Sequence, residues 1–158
     1  MPADASPSIL DRRWNAPKCQ AGQGLRVQEN AALSAAELLE LNQQLLECIA
    51  RADWETYASL VDESITCFEP EARGHLVKGL DFHKFYFDLG AAQGARNTTM
   101  AAPKVRVMGD AAVVAYVRIV QYLDEHSTPA TSHYEETRVW HREDGRWRHV
   151  HFHRSPCG

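Results

Sequence analysis

Three things are scarce in this chain: paired cysteines, charge of one sign, and long apolar runs. The four cysteines, Cys19, Cys48, Cys67 and Cys157, contain no CxxC spacing. That argues against a zinc ribbon or a thioredoxin-like motif and suits free thiols in a reducing compartment. The formal net charge is −4, and the basic residues are scattered. A nucleic-acid footprint or a basic membrane-surface helix would need them clustered. No apolar run approaches the roughly 20 residues that span a bilayer. The N-terminus carries Asp4 and Asp11 and lacks the apolar core of a signal peptide. Together these absences describe a cytoplasmic protein with no nucleic-acid or membrane partner.

What is present is enough for one core. Of 158 residues 44% are hydrophobic, with four Trp, five Tyr and five Phe. Residues 1–33 are rich in Ala, Pro, Ser, Gly, Gln and Asn and read as a flexible tail or linker, with Arg12, Arg13 and Trp14 as an island in it. Residues 34–156 read as the folded domain. Ser34 and Glu37 form a capping box, which predicts a helix from there to about Arg51 with Leu38, Leu41, Leu45, Leu46 and Ile49 inward. Asp53 caps a second helix, WETYASLV. A short strand over 65–69, a turn, and a possible return strand over 75–78 precede a short helix, DFHKFYFDL, with Phe82, Phe85, Tyr86 and Leu89 turned inward.

Four long strands close the chain: 98–108, 111–123, 132–142 and 146–154, rich in Val, Ile, Tyr, Trp and Thr. Helices gathered on one side of an antiparallel sheet make an α+β domain. A long curved sheet wrapped around the N-terminal helix leaves a cone-shaped pocket at one end. Arg118, Arg138 and Arg154 sit inside these strands. Hairpin register decides whether they share a face. A two-residue Asp144–Gly145 loop pairs Arg138 with His151 and splits Arg138 from Arg154. A three-residue Glu143–Asp144–Gly145 loop pairs Arg138 with Val150 and turns both the same way. Residues alone leave two roles open for the arginines: cross-strand ion pairs with Glu135 and Glu136, or a guanidinium-lined anion pocket.

Two other constellations carry less. HVHFH places His149, His151 and His153 on one strand face, a spacing that can hold a metal, yet no further ligands converge in sequence. His83, Tyr86 and Tyr116 near carboxylates could serve acid–base chemistry, but Glu135 and Glu136 beside arginines stay ionised. No metal, cofactor or catalytic activity is expected.

The stretches FEPEARGHLVKGLDFHKFYFD, MGD, AYVRIVQYLD, EETRVWHREDGRW and HVHFHRS closely resemble the association (hub) domain of calcium/calmodulin-dependent protein kinase type II, from about Glu37 to Ser155. The resemblance implies the cone-shaped α+β fold of nuclear transport factor 2-like proteins. It implies a non-enzymatic scaffold that assembles into two stacked rings, a dodecamer, tetradecamer or larger. It puts the family's pocket arginines on Arg118, Arg138 and Arg154 and its pocket histidine on His83, which favours the three-residue loop. With Tyr116 these form the expected ligand-binding set, for a small carboxylate, a kinase-linker peptide or the chain's own tail. The runner-up is a small-acid binding protein, or a dehydratase- or isomerase-like enzyme, on the same fold. Leu89–Gly90–Ala91–Ala92 replaces a tryptophan typical of the family, which counts against a ligand-gated loop there, and the loop DEHSTPATSH also differs. With neither a kinase domain nor a calmodulin-binding segment in these residues, a stand-alone hub is expected.

Overall fold

The turn at Asp144–Gly145 sets the frame. Both residues have positive φ, 50° and 76°, the backbone of a two-residue hairpin loop. Glu143 pairs directly with Arg146 across it, so the expected three-residue loop is not formed. The same face is reached another way. An irregularity between Val139 and Trp140 on one strand and 149–151 on the other shifts the register, so that Arg138 pairs with Phe152 and Glu136 with Arg154. Val150 is the extra residue. This bulge brings Arg138 and Arg154 onto one face after a two-residue turn had set them apart.

The structure is a computed structural model that describes residues 21–157, with side chains for Asn30 and from Ala32 onward. Arg12, Arg13, Trp14 and Cys19 lie outside the described residues. The elements run α1 (Ala21–Arg51), α2 (Trp54–Leu60), β1 (Val61–Phe68), β2 (Val77–Lys78), α3 (Asp81–Asp88), β3 (Arg96–Met108), β4 (Ala111–Leu123), β5 (Pro129–Glu143) and β6 (Arg146–Pro156). One six-stranded sheet has the order β2-β1-β6-β5-β4-β3. Every neighbouring pair is antiparallel except β1 with β6, which is parallel, so the sheet is mixed where an all-antiparallel one was expected.

The first helix begins at Ala21 and passes through Ser34, so the capping box does not start it. Gln, Leu, Arg, Glu and Ala dominate 21–33, and their helix propensity carries the turn pattern back into the stretch read as tail. At its other end, Ala52 takes the left-handed conformation, φ 54°, and Asp53 N–H bonds Cys48 C=O at 2.9 Å. That is a Schellman stop. Asp53 then caps α2 as expected, with its carboxylate accepting from Thr56 N–H at 3.0 Å and from its hydroxyl at 2.6 Å.

Leu38, Leu45, Leu46 and Cys48 of α1 are fully buried with Tyr57 of α2 and Val114 and Trp140 of the sheet. Leu41 and Ile49 flank this core. The helix α3 packs Phe82 partly against the core, as expected, but otherwise turns a different face inward. His83 is buried and Phe87 packs on Trp54 and Tyr57, with ring centroids 5.3 and 4.7 Å apart. Phe85, Tyr86 and Leu89 instead stay 60%, 42% and 69% exposed. Among the described residues no helix is long and apolar enough to cross a membrane.

Candidate functional site

Side chains alternate along β4, β5 and β6, so the inner face of the sheet is fixed by register: Tyr116 lies opposite Glu136, Arg118 opposite Tyr134, and Arg154 opposite Glu136. Two ionic clusters result. The deeper one centres on Glu136, which is almost wholly buried. Arg138 donates to Glu136 Oε2 from Nη2 at 2.8 Å and from Nε at 3.2 Å. The Tyr116 hydroxyl donates to the same oxygen, and Arg138 Nε also donates to the tyrosine oxygen at 2.8 Å. Arg118 Nε lies 3.2 Å from Glu136 Oε1, but the alignment makes no hydrogen bond, and both atoms are without a hydrogen-bond partner among the described residues. Burial alone would hold the carboxyl neutral. Arg138, then Arg118, and the hydrogen bonds from Tyr116 and Arg138 outweigh it and bring the pKa below the ordinary value.

His149 closes the back of this cluster. It is fully buried against Trp140 and Phe152. Its Nε2 lies 3.4 Å from Arg138 Nη1, which can only donate, so the imidazole is the acceptor. Burial, then the Arg138 charge, hold His149 neutral with its pKa well below the usual range. The bulge at Val150 separates it from its neighbours. His151 meets the Thr66 hydroxyl at 2.7 Å, and His153 packs on Phe68. The expectation that the three histidines share one strand face therefore fails: His151 and His153 lie on one face and His149 on the other.

The second cluster lies nearer the surface. Arg154 Nη2 donates to Glu69 at 2.9 Å and to Glu71 at 2.5 Å. Glu69 follows β1, and Glu71 sits in a single 3-10 turn, Pro70–Ala72. His83 Nε2 stands 3.5 Å from Glu69. Arg118 and Arg154 flank the Tyr134 ring, 5.0 and 5.2 Å from its centroid.

Between these clusters and the end of α1 lies a cavity of about 370 Å³, lined by Arg118, Arg138, Arg154 and His83 among others. Four of the five expected residues therefore meet at one wall. Tyr116 does not reach it; it is buried behind as a hydrogen-bond partner of Glu136. Sequence reasoning missed Glu69, Glu71 and Arg96, which also line the cavity. Glu69 and Glu71 stand within the FEPEARG run; their role depends on a pairing 83 to 85 residues away in sequence. The ion-pair reading of the arginines holds for Glu136, but Glu135 faces outward and is exposed.

The family model for the calcium/calmodulin dependent protein kinase II association domain matches residues 34–158. The chain is 44% identical to the association domain of C. elegans CaMKII, covering 80% of this chain and 98% of that one, with a TM-score of 0.76. It is 51% identical to the CaMKII hub homology domain of C. reinhardtii, over 79% of this chain and 99% of that one, TM-score 0.74. A nuclear transport factor 2-like protein of Salmonella enterica matches at 21% identity over 78% and 90% of the two chains, TM-score 0.64, a likeness of fold alone.

Proposed function

Because the chain belongs to the calcium/calmodulin-dependent protein kinase II association-domain family, we propose that it is a self-assembling scaffold. Copies join side to side into two stacked rings, and each protomer holds an arginine-lined pocket for a small carboxylate. The observation that carries the assembly is the outer face of α3 and its end, where Phe85 and Leu89 project into solvent in a lone protomer. Contiguous apolar side chains of this kind call for cover, and ring closure by repeated contacts supplies it. Mass photometry tests it. A particle many times the 17.8 kDa protomer supports the scaffold; a monomer at micromolar concentration rejects it.

The pocket reading rests on Arg118. Its guanidinium borders the cavity, and its Nε has no aligned acceptor although it is buried. A carboxylate entering the cavity would accept from the guanidinium's outer nitrogens, the Nε being turned to Glu136. Succinate should raise the melting temperature of the wild type and leave that of Arg118→Gln unchanged; equal shifts in both reject the pocket. The enzyme reading has less to stand on, since Tyr116 and Glu136, the best-placed proton-transfer pair, face each other behind the wall and not the cavity.

A further inference from the structure

Two residues of the cavity wall, Glu69 and His83, meet a third, Cys67, buried behind them. Cys67 and Glu69 are two residues apart on one extended segment, since the backbone at Glu69 (φ −147°, ψ 156°) continues the strand, so both point inward. His83 comes down on them from α3. Cys67 Sγ lies 3.4 Å from His83 Nε2 and 3.6 Å from Glu69 Oε1, and His83 Nε2 lies 3.5 Å from that same oxygen. As hydrogen bonds these separations are long or marginal. As ligand edges they fit. An ion with a Zn–S bond of about 2.3 Å and Zn–N and Zn–O bonds of about 2.0–2.2 Å sets its tetrahedral ligand atoms roughly 3.3–3.6 Å apart.

We propose that Cys67, Glu69 and His83 form a zinc-type divalent cation site with its fourth position open to the cavity. The donor set of soft sulfur, imidazole and one carboxylate oxygen suits zinc or cobalt rather than calcium or magnesium. Supporting contacts are in place. Arg154 grips Glu69 through Oε2 and leaves Oε1 free for the ion. His83 Nδ1, which carries the proton in the tautomer that frees Nε2, has no acceptor among the described residues. Burial, then the Glu69 charge, push the free thiol up to about 12. The metal replaces the thiol proton, which leaves to solvent through the cavity. A divalent ion with one thiolate and one carboxylate is neutral, so Arg138 and Arg154 nearby do not repel it. The open position beside those arginines would take water or an anion. The site stands independently of both the assembly and the succinate reading.

The test titrates Co²⁺ into the full chain after treatment with a chelator. One equivalent per protomer should give a thiolate-to-cobalt charge-transfer band with the strong visible bands of a four-coordinate ion, and Zn²⁺ should bleach them. The band should vanish in Cys67→Ala. Affinity should fall at least tenfold in His83→Gln and in Glu69→Gln. It should persist when Cys19 and Cys157 are both changed to serine. No band in the wild type, or a band that survives Cys67→Ala, overturns the site. Should Cys67→Ala fail to fold, unchanged cobalt affinity in His83→Gln overturns it equally.

Discussion

The two ionic clusters use the same chemistry at different depths, and depth decides what each can do. Around Glu136 the side chains of Arg138 and the carboxylate are essentially excluded from water, 2% and 0% exposed. Such a pair is expensive to form and more expensive to break, because the survivor is left charged in a poor dielectric. Around Arg154 the partner Glu71 sits on a one-turn helix, 38% exposed. Water screens that contact and can replace it. The inner cluster is suited to fixing the sheet's curvature and register; the outer one is suited to exchanging partners.

The comparison breaks first at Glu136. Replacing it by Gln keeps the shape and removes the charge that Arg118 and Arg138 share. A loss of about 3–5 kcal/mol is expected, read by urea unfolding at fixed protomer concentration. A loss under about 1 kcal/mol would put the two clusters in the same class.

Acid sharpens the comparison next. His149 has a folded-state pKa below its unfolded value of 6.5. Its neutral form is therefore favoured by folding, and the unfolded chain takes up the proton first. Stability from this residue is present above about pH 6.5 and is lost as pH falls through that value toward the lower folded pKa. Glu136, Glu69 and Asp53 are likewise depressed, so their contribution is lost at lower pH, from the ordinary carboxylate value down through the folded one. Between pH 6.5 and 5.5 His149 should cost the wild type up to about 1 kcal/mol. His149→Gln should lower stability at pH 7.5 and flatten that limb. An unchanged slope in the variant would assign the early acid loss elsewhere.

Arg154→Gln probes the outer cluster itself. It leaves the nearly buried Glu69 with His83 as a remaining polar neighbour, 3.5 Å away, while Glu71 turns to water. The expected cost is about 1–2 kcal/mol, the price of one half-satisfied carboxylate, measured by the same unfolding experiment. A cost equal to that of Glu136→Gln would mean that depth does not separate the clusters.

The legibility of these features follows the range of the interactions behind them. The Asp-Gly turn, the Asp53 cap and the four long strands are local, and their residues announce them. The bulge at Val150 is not: it coincides with an irregularity in the parallel pairing of β6 with β1, and no residue in HVHFH marks it. For α3 periodicity favours the face of Phe82, Phe85, Tyr86 and Leu89, and tertiary contacts override it. His83 is drawn inward by Cys67 and Glu69, and Phe87 by Trp54 and Tyr57, which leaves Phe85 and Leu89 outside. The arginine wall was legible through the resemblance. The carboxylates that hold Arg154 were not, because each is joined to it only through the fold.

The smallest expected effect on stability is also the most informative about the pocket. Glu71→Gln removes one of two carboxylates that share Arg154 Nη2. Glu69 keeps its own contact, and the lost pair is partly exposed, so unfolding should change by less than about 1 kcal/mol. Yet an incoming succinate competes with Glu71 for the same guanidinium. Removing the competitor raises the share of Arg154 donors available to the ligand and takes away a like charge near its carboxylate. The variant should therefore bind succinate several-fold more tightly than the wild type by calorimetry, while its stability barely moves. Tighter binding without a stability change fits a partner-exchanging rim; weaker binding would make Glu71 part of the ligand's own site and place the exchange elsewhere in the wall.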